Sequence, residues 1–453
     1  MTLITSVFHN FRLPADAGTP IFYAALGLAA ACTFLKRSPS FAFRPPKNNS
    51  LFITFVKYVL VPVLLPLVPR ITRVEVEGDG LNRLRQLKGK RVILTPNHAE
   101  ATEPYVMFQL SKLLGEEFNY LTAREVFDAY FPAGRLLQAI GAYSVVRGMP
   151  DRNALRTTTE ILMEGKHWLV IFPEGVAVGL SDNLMPFQPG IGQFAFRAYE
   201  NLVRKDGDVH LYFVPLAIKM VYVHAMDSAI DRALQRLEGK LLPRGFPGAA
   251  TPQERLLRLG EALLDASEKK YGVRQPAGIA LSDRINFMRE LIISRTARAL
   301  NIQERPDRIL PDRIRDLINA LDQIIYRKVN ERGADKQLLR QEKLEAQALR
   351  KRLETAVNFM GLDECYLNQQ MTTERFMDII GLMEREVFGT RRFWGIRKAV
   401  VRIGEPLDLK NYADQYRVNK KGALQEISMT LESTVRAMLL ELSDLCKPLK
   451  SLG

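Results

Sequence analysis

Arg91-Val92-Ile93-Leu94-Thr95, running on through Pro96-Asn97-His98-Ala99-Glu100-Ala101-Thr102-Glu103 into helix-forming sequence at 104–114, is the stretch that decides the fold. Its first five residues are a short apolar run of the kind that fills a strand buried on both faces. Similar runs recur on either side of it. Val74-Glu75-Val76-Glu77-Gly78 alternates apolar and charged residues, while Tyr143-Ser144-Val145-Val146-Arg147, Trp168-Leu169-Val170-Ile171-Phe172 and Leu211-Tyr212-Phe213-Val214-Pro215-Leu216 continue the series. Helical sequence separates them, at 104–114 and 152–164. Strands alternating with helices read as an α/β layer with a largely parallel sheet.

Further out the texture changes. From about residue 226 to 395 helix formers dominate, with helices expected at 253–271, 283–300, 312–330, 336–359 and 372–387 after a turn-rich linker, Pro243-Arg244-Gly245-Phe246-Pro247-Gly248. Ala399-Val400-Val401-Arg402-Ile403-Gly404-Glu405-Pro406-Leu407 then reads as one more strand, ended by Gly and Pro. The expected fold class is therefore α/β, with a mixed, largely parallel sheet flanked by helices and interrupted by an all-helical insertion. The expected units are 1–69, 70–225, 226–395 and 396–453.

The first 69 residues have a different character. The run at 21–35 is uncharged but short of the ~20 residues that span a bilayer. Its basic flank (Lys36, Arg37, Arg44, Lys47) lies after the apolar residues, which disfavours a cleaved signal peptide and would hold that flank on the cytoplasmic side. The run at 51–68 is long enough to span, yet it carries Lys57, Pro62 and Pro66. A charge and two helix breakers make a straight span unfavourable, so a half-buried segment seating the protein on one leaflet is expected.

Composition sets outer limits. With 453 residues, 47% of them apolar, and 64 Lys plus Arg against 50 Asp plus Glu, the chain is neither too polar to collapse nor apolar enough for a multi-span transporter. The three cysteines, Cys32, Cys365 and Cys446, are too scattered for a disulfide framework or a zinc site. The surplus of 14 positive charges asks for an anionic partner. The basic stretch at 336–352 reads as a solvated helix face, with lipid head groups or an acidic carrier protein as the alternative contact. No zinc-finger or aromatic RNA-binding motif supports nucleic acid.

Chemistry concentrates around His98. A histidine at a strand end, with a carboxylate five positions later at Glu103, suits general-base activation of an alcohol: the acid fixes the imidazole tautomer and stabilises the imidazolium. Glu100 is the rival acid. His9, His167, His210 and His224 have no carboxylate at a comparable loop spacing, and Ser144 and Ser181 are not in a Gly-x-Ser-x-Gly elbow.

Together, Asn97-His98 to Glu103, Gly141 to Arg147, Phe172-Pro173-Glu174-Gly175 and Val214-Pro215 resemble, in order, the four sequence blocks of the glycerolipid acyltransferase family that includes lysophosphatidate acyltransferases. The resemblance covers about residues 50–225 and 396–445. It implies that His98 is the base and Glu103 its orienting acid, in an HX4D-like motif. It also implies that Arg147, Phe172, Pro173, Glu174 and Gly175 bind and position the acceptor, and that backbone N–H groups after Phe172-Pro173 meet the thioester oxyanion. The implied reaction moves a fatty acyl group from acyl-CoA or an acyl carrier protein to a glycerolipid hydroxyl, most simply that of 1-acylglycerol-3-phosphate, at a membrane surface with the catalytic domain on the cytoplasmic face. Neither cofactor nor metal is implied. Glycerol-3-phosphate or another lysolipid as acceptor, and a non-catalytic lipid-binding relative, are the alternatives.

Three positions depart from the family pattern. The acid is Glu103 where Asp is usual, Val176-Ala177-Val178 stands where Thr-Arg-Ser is common, and Gln188 replaces a Lys. Two positions able to hold phosphate are thus neutral, so the missing charge is expected from Arg147 and the insertion, or else the acceptor lacks a phosphate monoester.

Overall fold

The computed structural model describes residues 42–128, 133–242, 250–276, 278–327, 334–362 and 370–449. The apolar run at 21–35, the linker at 243–248, Cys32 and Cys365 lie outside them. Helix α1 (Ser50–Leu67) leads into β1 (Ile71–Val76). Helices and strands then alternate: α2 (Gly80–Arg85), β2 (Arg91–Pro96), α3 (Glu103–Leu114), β3 (Phe118–Ala123), α4 (Arg124–Phe127), α5 (Ala133–Ala139), β4 (Ala142–Val145), α6 (Arg152–Glu164), β5 (Trp168–Val170), α7 (Gly190–Asp206) and β6 (Leu211–Tyr222). A purely helical stretch follows, with α8 (Asp227–Leu241), α9 (Pro252–Tyr271), α10 (Leu281–Ala299), α11 (Leu310–Ile325), α12 (Ala334–Asn358) and α13 (Thr373–Phe388). The chain closes with β7 (Arg397–Ile403), β8 (Leu407–Asp408), α14 (Ala413–Val418) and α15 (Lys420–Ser443).

The eight strands form one sheet in the order β1-β7-β6-β2-β5-β3-β4, with β8 beside β6. The pairs β6/β2, β2/β5, β5/β3 and β3/β4 are parallel, as is β1/β7; β6 runs antiparallel to β7 and β8. The apolar run that opened the sequence reading lies between β5 and β6, Ile93 pairing with Leu169 on one side and Phe213 on the other. Alternate residues point to opposite faces. Ile93, Leu169 and Phe213 pack with Leu162 of α6, Phe196 of α7 and Val435 of α15. Val92, Leu94 and Val214 pack with Val61 of α1 and Met107 of α3. Both faces of the central strands are dry, which is why those strands read as unbroken apolar runs.

The strand after the helical stretch returns to the sheet. β7 pairs with the second half of β6, from Leu216 opposite Ile403 to Tyr222 opposite Arg397, and β8 takes up the first half at Tyr212 and Phe213. Gly404 makes this hand-over possible: its N–H donates to the Pro215 carbonyl at 2.9 Å, and a Cβ there would lie 2.8 Å from the Pro215 ring. Two elements exceed the sequence expectation. β6 runs six residues beyond 216, and β3 was not foreseen because Asn119 and Thr122 break its apolar run. Asn119 is buried because its side chain donates to the Gly141 carbonyl (2.8 Å) and to Asn48 (3.0 Å).

Helix α1 is half-buried. Ile53, Val56, Val61 and Leu65 face the protein, while Leu51, Phe55, Val59, Val63 and Leu67 face outward. The charge that made a span unfavourable is turned inward: Lys57 Nζ donates to the Glu116 carbonyl at 2.6 Å. Its neighbourhood, Val56–Leu60, is a π-helical turn.

Helices α8–α13 share a core of their own, into which Val178, Leu180 and Met185 from the loop after β5 insert. The neutral Val176-Ala177-Val178 segment thus has a packing reason. Val178 is fully buried in that core and Val176 packs against it.

Candidate active site

The site is built where β2 and β5 end at the C-terminal edge of the parallel strands, the edge at which such sheets present reactive loops. β2 stops at Pro96, and Asn97 prolongs the ladder with its side chain. Its Nδ2 donates to the Ile218 carbonyl (3.1 Å) and its Oδ1 accepts from the Ile218 N–H (2.7 Å). This pins the backbone one residue before His98.

His98 is held from two directions. Its Nδ1 lies 3.3 Å from Glu103 Oε2, and its ring packs against Phe172 with centroids 4.3 Å apart. The backbone N–H of His98 donates to Glu174. The imidazole remains about 20% exposed, so with Nδ1 facing Glu103, Nε2 is the nitrogen available to an incoming hydroxyl.

Glu103 opens α3, where the helix dipole favours negative charge. One of its oxygens accepts from the Glu100 N–H at 2.7 Å and the other faces His98. Burial raises its pKa, with the bond to His98 acting against the rise. Glu100 faces elsewhere. Burial opposes its ionisation, but Arg391 (3.1 Å) and Arg397 (2.7 Å) outweigh that and hold its pKa at about 2. The two acids flanking the loop thus have separate employment: Glu103 on the imidazole, Glu100 on a pair of arginines.

Phe172-Pro173-Glu174-Gly175 folds as a turn in which the Gly175 N–H donates to the Phe172 carbonyl at 3.2 Å, so this N–H closes the turn instead of facing a substrate oxygen. Gly175 has φ +66°, a conformation for which glycine is suited. Glu174 is almost wholly buried, its two oxygens accepting from the N–H groups of His98 and of Met185 (2.8 Å). Burial pushes its pKa up to about 8 against those two bonds. Its carboxylate therefore ties the histidine loop to the loop after β5, and Gly179 adds a second tie through a 2.7 Å bond to the Ala99 carbonyl.

Arg147, just past β4, bridges the Gly175 carbonyl and Glu125 with its two terminal nitrogens. Its own carbonyl accepts from Asn319 of α11 at 2.8 Å. One turn earlier on α11, Arg315 donates to Gln188 at 2.8 Å. Arg315, Arg391, Arg397 and Asp378, the last bonded to the Ser181 N–H at 2.8 Å, are site-supporting residues that the local motifs did not single out. Their partners lie 127 to 297 positions away, and no periodicity reports such a pairing. Among the described residues the other histidines sit apart: His210 faces Asp408 at 2.5 Å on the surface, His167 lies 3.9 Å from Glu117, and His224 is exposed, while His9 lies outside the described residues. Among the described residues no group of three His, Cys, Asp or Glu is placed to hold a metal ion.

A histidine–carboxylate pair at the parallel edge of a mixed α/β sheet is an arrangement suited to moving a proton to or from a bound group. Residues 73–219 match the family model described as Acyltransferase. That span runs from β1 into β6 and contains His98, Glu103, Arg147 and the Phe172–Gly175 turn. No curated protein matches the chain.

Proposed function

We propose that this protein moves a fatty acyl group from a thioester, acyl-CoA or acyl carrier protein, to a hydroxyl of a glycerolipid acceptor, with 1-acylglycerol-3-phosphate as the leading candidate. The observation that carries the reading is His98: Nδ1 against the buried Glu103, one ring face on Phe172, and the other nitrogen free within an acyltransferase domain. Nε2 takes the proton of the hydroxyl as its oxygen attacks the thioester carbonyl. Collapse of the tetrahedral intermediate breaks the C–S bond, and the proton passes from the imidazolium to the departing sulfur. An ester and a free thiol result, and no acyl-enzyme forms.

The outward stripe of α1 supports a seat at a lipid surface, cytoplasmic by the placement of the basic flank, with the inward turn of Lys57 leaving that stripe apolar. Replacing His98 by Ala should slow thiol release at least about 100-fold. The assay offers labelled acyl-CoA and acyl carrier protein to the full chain with lysophosphatidate, glycerol 3-phosphate and other lysolipids. Wild-type rates in His98→Ala would remove the assignment, and lipid binding with no thiol release would favour a non-catalytic lipid-binding protein.

A further inference from the structure

Lys219 stands in the middle of β6, on the face that Ala217 and Val221 give to the dry core, and none of its side chain is exposed. An ammonium group so fully withdrawn from water is tolerated only with charged or hydrogen-bonding partners. Its partner is Asp182, itself about 2% exposed, with Ser181 Oγ a further acceptor at 3.3 Å. Asp182 lies in the loop after β5, beyond Glu174, and draws three elements together. Its Oδ1 accepts from Lys219 and from Ser443 of α15 (3.0 Å), and its Oδ2 accepts from Arg375 Nε of α13 (2.7 Å). The residue before it is held as well, since the Ser181 N–H donates to Asp378 of α13. Sheet, insertion and C-terminal helix thus converge on two adjacent residues of one loop.

That loop and the histidine loop take their places from neighbouring residues of one strand. Asn97 bonds both backbone groups of Ile218, and Lys219, the next residue, holds Asp182. From Asp182 the connection runs back to the site: Glu174 and Gly179 of the same loop bond the His98 N–H and the Ala99 carbonyl. A buried ion pair adds little net stability over packed apolar side chains of similar volume. What apolar packing lacks is direction, and several charge-assisted bonds meeting at one carboxylate fix where its backbone lies.

We propose that Lys219 and Asp182 are positioning residues for acyl transfer: the pair sets the loop after β5 against β6 and, through Glu174 and Gly179, sets the place of His98. The kinetic part of this inference rests on the acyl-transfer reading. Both side chains are buried, so their effect on the chemistry passes through the histidine loop.

Lys219→Met keeps most of the side-chain volume, leaves Asp182 with Arg375 and Ser443, and breaks only the tie to β6. In the full chain, kcat for thiol release should fall about tenfold to a hundredfold, the scale of a misplacement of about 1 Å between reacting groups, with KM for acyl-CoA and lysophosphatidate at the wild-type value. Hydrogen exchange read by mass spectrometry should quicken in segments 97–103 and 174–188 and stay unchanged in β2. The isosteric Asp182→Asn should act in the same direction, and it carries the test if Lys219→Met does not fold. A wild-type kcat in a folded variant, a raised KM at unchanged kcat, or unchanged exchange at 97–103 overturns the proposal. If the wild-type chain moves no acyl group, the proposed reaction falls, while quicker exchange at 97–103 in Lys219→Met leaves the positioning link standing. Transfer at the wild-type rate in that variant would do the reverse.

Discussion

At the scale of single residues, the loop from His98 to Glu103 shows how two chemically identical acids acquire different work. Glu103 is desolvated with one cationic neighbour at most, the imidazole, so its charge matters chiefly to His98. Glu100 is equally buried but lies between two guanidinium groups. Glu103→Gln should therefore depress kcat strongly, through loss of the tautomer and imidazolium support, with little change in melting temperature. Glu100→Gln should do the opposite, since it leaves Arg391 and Arg397 buried without their anion. The pH dependence separates them further. Glu100 titrates near 2 when folded and near 4.5 in the ordinary case, so the unfolded chain binds more protons between those values, and stability rises with pH across that window. Acidification from about 4.5 to 2 should remove about 3 kcal/mol from wild type that Glu100→Gln has already lost. Denaturant titrations at several acidic pH values would show it, and parallel slopes for the two proteins would contradict the assignment.

At the scale of elements, α1 is amphipathic in an unusual sense, because both of its faces are apolar and only one is covered. The inner face joins the core beneath the sheet, and Lys57 is withdrawn to the Glu116 carbonyl. An uncovered apolar stripe on a chain with 14 surplus positive charges matches an anionic lipid surface in both hydrophobic and electrostatic terms. In a background with Cys32 and Cys365 replaced by Ser, Phe55→Cys carrying an environment-sensitive fluorophore should shift to the blue when anionic vesicles are added. The same label at Lys421, exposed on α15, should not. A silent label at position 55 would mean that the stripe faces something other than lipid.

At the scale of the whole molecule, the helical insertion and the sheet are joined through the loops that follow β4 and β5. The loop after β5 places Leu180, fully buried, in the core of α8–α13, Asp378 of α13 holds the Ser181 N–H, and Asn319 of α11 holds the Arg147 carbonyl. Leu180→Ala should lower stability by about 2–5 kcal/mol, and activity should fall with it because the same loop carries Glu174. Calorimetry should show sheet and helices melting in one transition. A variant in which the helices melt first and leave the sheet's acyl transfer intact would show that the two parts are energetically separate.

Much of this was readable from the chain itself. Apolar runs at strand length, separated by helix formers, determine an α/β sheet because backbone burial on both faces demands such runs, and the order of the four motif blocks marks the acyltransferase domain. The candidate base and its two rival acids were legible for the same local reason, lying within six residues of each other. What only the tertiary structure decided involves groups far apart in sequence. It decided which acid meets the imidazole, that Glu174 spends its oxygens on backbone, that β7 returns antiparallel beside β6, and that Arg315 stands beside Gln188. Each depends on desolvation and charge pairing between segments brought together by folding, and those energies exist only once water has been excluded between them.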